Sequence, residues 1–399
     1  MKASIDQLGL FGGAPAFVDR LHVGRPNIGN RDKFFEQVND LFDRRWLTND
    51  GPFVRELERR IADHLNVKEC VALCNGTIAM EVLLRSLNLE GEVILPSFTF
   101  VSSAHVLESM NLTPVFCDVD PETHNLTADI VEPLITPRTA AILGVHLWGS
   151  ACPVNELTEL ANRHNVPLIF DAAHAFSCTY QNEFIGNFGV AEVFSFHATK
   201  FFHSFEGGAV VTNDSALADE VRLRRNFGFS RYDHVDVIGT NGKMPEISAA
   251  MGLTNLDDLD LFLETNHRNY LCYEKHLKDL AGIKLLQFDA QERNNFQYIV
   301  LTVNQDVAQF DRDLLIAVLH AENVLARRYF HPGVHRMEPY KSLYPEFEGN
   351  LPGTESISQE VLCLPTGTSV GSDDIQHICD IIKFVGENCV EIRRKHQSR

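Results

Sequence analysis

A lysine set among aromatic residues is the first feature of this sequence that points to chemistry. Lys200 follows Phe194 and Phe196 and precedes Phe201 and Phe202 in the run AEVFSFHATKFF. Most lysines are solvated surface charges. Here the neighbours are apolar, and burial disfavours the ammonium form and lowers the pKa. A neutral amine can attack a carbonyl carbon. Upstream, the run PLIFDAAHAF places Asp171 directly after the apolar Leu168–Phe170. A helix cap is the plain alternative for this aspartate. An aspartate and a lysine delivered by neighbouring strands suit pyridoxal 5′-phosphate (PLP). The lysine condenses with its aldehyde, and the carboxylate keeps its ring nitrogen protonated so that the ring accepts electrons.

Both residues need strands to carry them. Leu168–Phe170, Val193–Phe196 and Ala209–Val211 are short apolar runs, as expected for buried strands of a mostly parallel sheet. Open sheets of this kind place ligands at the carboxyl ends of their strands. Strand and helix patterns alternate over about 70–215, which argues an α/β fold with helices on both faces. Val71–Cys74 reads as a strand, Asn75-Gly76-Thr77 as a turn and Ile78–Leu87 as a helix. Free NH groups at such a helix start can hold a phosphate, although an N-cap threonine with no ligand is the commoner outcome. Glu92–Leu95 is the next expected strand and Val101–Glu108 the next helix, with Phe100 between them. A ring there can stack on a planar cofactor, yet phenylalanine is usually core, and the chain has 27. Asp118 and Asp120 in DVDP read as turn residues rather than a metal pair. No GxGxxG follows a strand and no GxxxxGK[ST] occurs, so dinucleotide and P-loop readings lack support. Ser248–Leu263 is expected as one helix leading out of a large domain, residues 1–264, whose first 30 residues form an irregular arm. Residues 265–399 read as a smaller α+β domain, with a strand at Ala326–Phe330.

Composition narrows the class. The 399 residues suffice for two domains. A net charge of −19 argues against a nucleic-acid partner, which needs a basic footprint. A few placed cations can still hold a small anion. No apolar stretch is long enough for a membrane span, and the N-terminus does not read as a signal peptide. The nine scattered cysteines contain no CxxC pair, as expected for reduced thiols in the cytoplasm.

FDAAHAF, FSFHATK and FEGGAVVTND together resemble the sugar aminotransferase family that contains the DegT, DnrJ and StrS proteins. The resemblance runs over roughly 10–390 and includes GLFGGAPAF, CNGT, VHLWG, GTNGKM and LPTGT. It implies a fold-type I, aspartate aminotransferase-like transferase with PLP on Lys200 and Asp171 at the pyridine nitrogen. It assigns the cofactor phosphate to Gly76, Thr77 and Ser195, and singles out Phe100 as the stacking ring. His174 stands where the family more often has glutamine, and an imidazole there can still reach the phenolic oxygen. Asn241, in GTNGKM, matches the family residue that crosses to the neighbouring subunit's phosphate, which implies a homodimer with shared sites. Lys243 replaces the family's arginine, keeping the charge without the bidentate fork. Lys243, Tyr329 and His331 are the implied substrate contacts, the last two from YFHPGVH. No metal is implied. Within the family the motifs look closest to TDP-4-amino-4,6-dideoxyglucose aminotransferases. These move an amino group from L-glutamate to C4 of TDP-4-keto-6-deoxyglucose, through pyridoxamine phosphate and with release of 2-oxoglutarate. Such deoxyamino sugars serve lipopolysaccharide O-antigens or secondary metabolites. Amination at C3 and a non-catalytic, regulatory PLP-binding protein remain alternatives. A sugar dehydratase is disfavoured, since those relatives carry histidine in place of Lys200.

Overall fold

The computed structural model describes residues 2–397. Its centre is a seven-stranded sheet: β1 (Glu69–Leu73), β2 (Glu92–Pro96), β3 (Thr113–Cys117), β4 (Thr139–Val145), β5 (Leu168–Asp171), β6 (Ala191–Ser195) and β7 (Gly208–Thr212). The spatial order is β1-β7-β6-β5-β4-β2-β3. Pairs from β6 through to β3 are parallel, whereas β7 runs antiparallel to both β6 and β1. A parallel neighbour needs a long crossover, usually a helix. Residues 196–207 between β6 and β7 contain none, so the chain turns back beside β6. The carboxyl ends of β1, β5 and β6 and the start of β7 thereby meet at one edge. Both faces of the sheet are covered by apolar side chains, and every residue of β7 is buried.

The β1 connection shows how sequence sets local geometry. Asn75 lies just beyond β1, and its side chain accepts a hydrogen bond of 2.8 Å from Ile78 N. It therefore caps the helix Gly76–Ser86. The cap is Asn75, not Thr77, so Gly76 and Thr77 become the first two helical residues.

The C-terminal part holds an antiparallel sheet of β8 (Ile283–Leu285), β9 (Ile299–Val303) and β10 (Val361–Leu364). Helices Leu259–Leu277, Arg312–Ala321 and Ser372–Gln397 share its core. The expected single helix over 248–263 is two, Glu246–Asp257 and Leu259–Leu277, meeting at Asp258. The second of these passes from one core to the other, since Leu259 and Phe262 join the core beside the large sheet and Tyr270, Tyr273 and Leu277 the C-terminal core, a change that periodicity cannot mark. The N-terminal arm was expected with the large domain. Ile5, Leu8, Phe11, Phe17 and Leu21 instead join the C-terminal core, and Leu21–His22 pairs with Val324–Leu325. The buried Glu322 carboxylate fixes the arm by accepting from Gly9 N at 2.7 Å and Ala16 N at 2.6 Å. An arm with so little regular structure cannot bury five apolar side chains by itself. The strand expected over 326–330 is also absent; an isolated antiparallel bridge, Arg327 with Cys363, forms there instead. Among the described residues no helix is long and apolar enough to cross a membrane.

Candidate active site

A cavity of about 770 Å³ opens where β1, β5 and β6 end. Lys200 lies in its wall, in the loop after β6, and is half-buried. Burial pushes its ammonium pKa down to about 8, against the opposing pull of the Asp171 charge. A substantial part of the amine is therefore neutral near physiological pH.

Asp171 closes β5 and lines the same cavity. One carboxylate oxygen accepts from Ser103 Oγ at 2.8 Å and the other from Ala173 N at 3.0 Å. These bonds fix its direction and leave lone pairs for a further donor.

His174 is buried beside them. Trp148 N donates towards Nδ1 at 3.4 Å, and Nε2 meets the Tyr298 hydroxyl at 3.1 Å. The ring lies roughly parallel to those of Trp148 and Phe330, with centroids 6.0 and 5.9 Å away. Burial and the nearby Lys200 hold its pKa well below the usual imidazole range. His174 lines the cavity as a neutral, packed ring whose two nitrogens face partners inside the protein.

The remaining cofactor candidates fall into two groups. Gly76, Thr77, Phe100 and Ser195 all line the cavity. Phe100 is 54% exposed there, unlike a core ring. Asn241 and Lys243 do not line it; Lys243 donates to Asn241 Oδ1 at 2.7 Å and sits over the Phe227 ring. Among the substrate candidates Tyr329 lines the cavity. His331 does not: its Nδ1 faces Ser358 O at 3.1 Å, turned away by the irregular chain that replaces the expected strand. Asp120 behaves as a turn residue, accepting from Glu122 N and Thr123 N, whereas Asp118 accepts from Gly353 N and Thr354 N at the start of the distant helix Pro352–Glu360.

Sequence reasoning missed Ser103, Tyr298, Arg25 and Arg327, which all line the cavity. Ser103 carried a faint signal, lying early in the helix that follows Phe100. Tyr298 and the two arginines come from distant segments and carried none.

The sequence profile of the DegT/DnrJ/EryC1/StrS aminotransferase family matches residues 29–383. The chain belongs to this family. A dTDP-4-amino-4,6-dideoxy-D-glucose transaminase of Shigella dysenteriae is 34% identical, over 92% of this chain and 99% of its own. A GDP-perosamine synthase of Caulobacter vibrioides is also 34% identical, over 90% and 96%. The crystal structure of DesI in the presence of its TDP-sugar product superposes with a TM-score of 0.94 at 43% identity, covering 99% of this chain and all of that one. The protein is accordingly an aminotransferase with the α/β fold of the family's sugar aminotransferases.

The cavity fits the cofactor of that enzyme class. Gly76 and Thr77 open their helix, so their backbone NH groups lack intrahelical acceptors and can receive a phosphate. Ser195 stands against them, for a Cβ on Gly76 would lie 3.0 Å from the Ser195 Cβ. Gly208 permits this approach, since a Cβ there would meet the Asn75 carbonyl carbon at 2.6 Å. Lys200 and Asp171 would supply the amine and the carboxylate that such a cofactor needs.

Proposed function

We propose that this chain is a PLP-dependent aminotransferase that moves the amino group of L-glutamate to C4 of TDP-4-keto-6-deoxyglucose, giving the 4-amino-4,6-dideoxy sugar. The observation that carries the reading is the Lys200 amine, with a pKa of about 8, in one cavity with Asp171. Support for the sugar comes from the likeness to DesI and to the Shigella transaminase.

When bound, PLP supplies an electron-accepting ring to which an amino group can be tied. Gly76 N, Thr77 N and Ser195 Oγ would hold its phosphate, and Phe100 would cover a face of the ring. Asp171, aimed by Ser103 and Ala173, holds a proton at the ring nitrogen. Lys200 Nζ takes a proton from Cα of glutamate in one half of the cycle and gives one to C4 of the sugar in the other. An amine with a pKa of about 8 can do both near neutral pH.

We further place Asn241 of one chain at the phosphate of a second, in a homodimer with shared sites. Its position outside its own chain's cavity supports this reading. The nine free cysteines favour a cytoplasmic setting.

The test is incubation of the holoenzyme with glutamate and a panel of nucleotide-linked keto sugars. 2-Oxoglutarate should form with the TDP-linked 4-keto-6-deoxy sugar, and product NMR should show nitrogen at C4. Nitrogen at C3, or no turnover with any keto sugar, would sink the proposal.

A further inference from the structure

The C-terminal half of the chain returns to the large sheet in residues 334–355. Ser97 directly follows β2, and Asp118 directly follows β3. Both hold the returning segment. Ser97 O accepts from Val334 N at 2.9 Å, and Ser97 Oγ accepts from His335 N at 3.0 Å. Asp118 accepts from Gly353 N at 2.8 Å and Thr354 N at 2.6 Å, which seats the helix that carries Glu355.

The His335 imidazole joins these two anchors. Its Nδ1 lies 2.6 Å from Ser97 Oγ and its Nε2 3.3 Å from Glu355 Oε1. Ser97 and His335 are both fully buried. The direction of the chain follows from the donors. A backbone NH can only donate, so Ser97 Oγ accepts from His335 N and its own hydrogen is left for Nδ1. Nε2 then carries the ring proton and faces the carboxylate. Burial holds the imidazole pKa below its usual value against the pull of Glu355, in keeping with a neutral ring.

Past Ser97 the chain enters the cavity wall. Thr99, two residues on, lines the cavity, and its Oγ1 lies 3.3 Å from Ser103 Oγ. Ser103 in turn donates to Asp171 at 2.8 Å. The helix that carries Ser103, Ser102–Ser109, is held further along by the same returning segment. The Tyr340 hydroxyl meets His105 Nδ1 at 2.6 Å, and Tyr344 donates to Glu108 Oε1 at 2.6 Å. We infer that His335 is a positioning residue for Asp171, an inference that rests on the proposed role of Asp171 towards PLP. Through Ser97 it fixes residues 97–101, and with them the Ser103 hydroxyl that aims the carboxylate. Hydrogen bonds weaken steeply as their angle closes from linear, so a small shift of Ser103 turns Asp171 away from its target.

Two substitutions separate the two ends of the imidazole. In His335→Asn an amide oxygen takes the place of Nδ1 and keeps the Ser97 bond. In His335→Gln an amide nitrogen takes the place of Nε2 and keeps only the Glu355 contact. His335→Gln should lower kcat roughly three- to ten-fold with KM unchanged, whereas His335→Asn should stay within about two-fold of the wild type. Combined with Ser103→Ala, His335→Gln should cost nothing further, because both act on the same carboxylate. A second measurement needs no sugar. The pH midpoint of the visible band of the holoenzyme should move in His335→Gln in the same direction as in Ser103→Ala, and stay in place in His335→Asn. Losses that multiply in the double variant overturn the inference. So do equal losses in the Asn and Gln variants, which would trace the effect to packing, and a Gln variant that matches the wild type. Failure of the proposed function reads differently: the wild type aminates no keto sugar, while the visible band still reports on Asp171.

Discussion

In the proposed reaction Lys200 would work only when its amine is neutral, and its surroundings decide when that is. An ordinary lysine titrates near 10.5; burial brings this one to about 8. The neutral fraction of a cationic acid grows as pH rises through its pKa. Recombination of the apoprotein with PLP, followed by absorbance, should therefore accelerate up to about pH 9 and then level off. A rate still climbing towards pH 10.5 would mean that the amine is not desolvated. Lys200→Ala should abolish both the cofactor band and turnover. Ser103 acts one step away, by aiming the Asp171 carboxylate with its 2.8 Å hydrogen bond. A hydrogen bond to a charged group contributes about 1.5–3 kcal/mol. Ser103→Ala should accordingly lower kcat roughly ten-fold or more. Unchanged steady-state kinetics in that variant would remove Ser103 from the machinery. Lys200 and Asp171 were legible because their residue types and apolar neighbours are unusual together. Ser103 was not, because one serine among several on a helix carries no mark until the fold brings it to Asp171.

The elements that carry these residues were legible as strands and helices, but their directions were not. Three apolar runs of similar length, β5, β6 and β7, look alike in sequence. Only the short link after β6 makes β7 antiparallel, and that reversal brings Gly208 against the Asn75–Gly76 turn. A side chain on Gly208 would meet Asn75 C and Gly76 N at 2.6 Å, both of them backbone atoms that cannot swing aside. Gly208→Ala should therefore push the helix start away from the cavity. The expected outcome is a PLP affinity at least ten-fold weaker, read by equilibrium dialysis, with a Tm several degrees lower. Retained affinity would show that the turn does not cradle the phosphate. Helix ends were less legible than helix existence. The join at Asp258 and the start at Asn75 depend on side-chain contacts that periodicity does not carry.

At the scale of the molecule, nothing in the sequence shows where the N-terminal arm packs. Phe11 and Phe17 find their core beyond residue 260, a pairing that no local pattern encodes. The same limit applies between molecules. Asn241 and Lys243 stand outside their own cavity, beside a hairpin, Phe229–Arg231 with His234–Val235. Phe227, Phe229, Tyr232, Val235 and Ile238 are exposed along this segment, and exposed apolar side chains grouped together favour burial against another surface. A second copy of the chain that buries this face would carry Asn241 to its partner's Gly76–Thr77 turn. Each site would then need two chains, and PLP would tighten the dimer by linkage. Subunit mixing separates the two arrangements. Lys200→Ala and Asn241→Ala homodimers should each be weak. In a mixed dimer with shared sites, one site carries both defects and the other neither, so activity should return towards half of the wild-type value per site. With unshared sites each chain keeps its own defect, and mixing restores nothing even when exchange is demonstrated by mass labelling. That result, or full activity in a monomer at low concentration, would assign Asn241 to its own chain and leave the exposed hairpin to another partner.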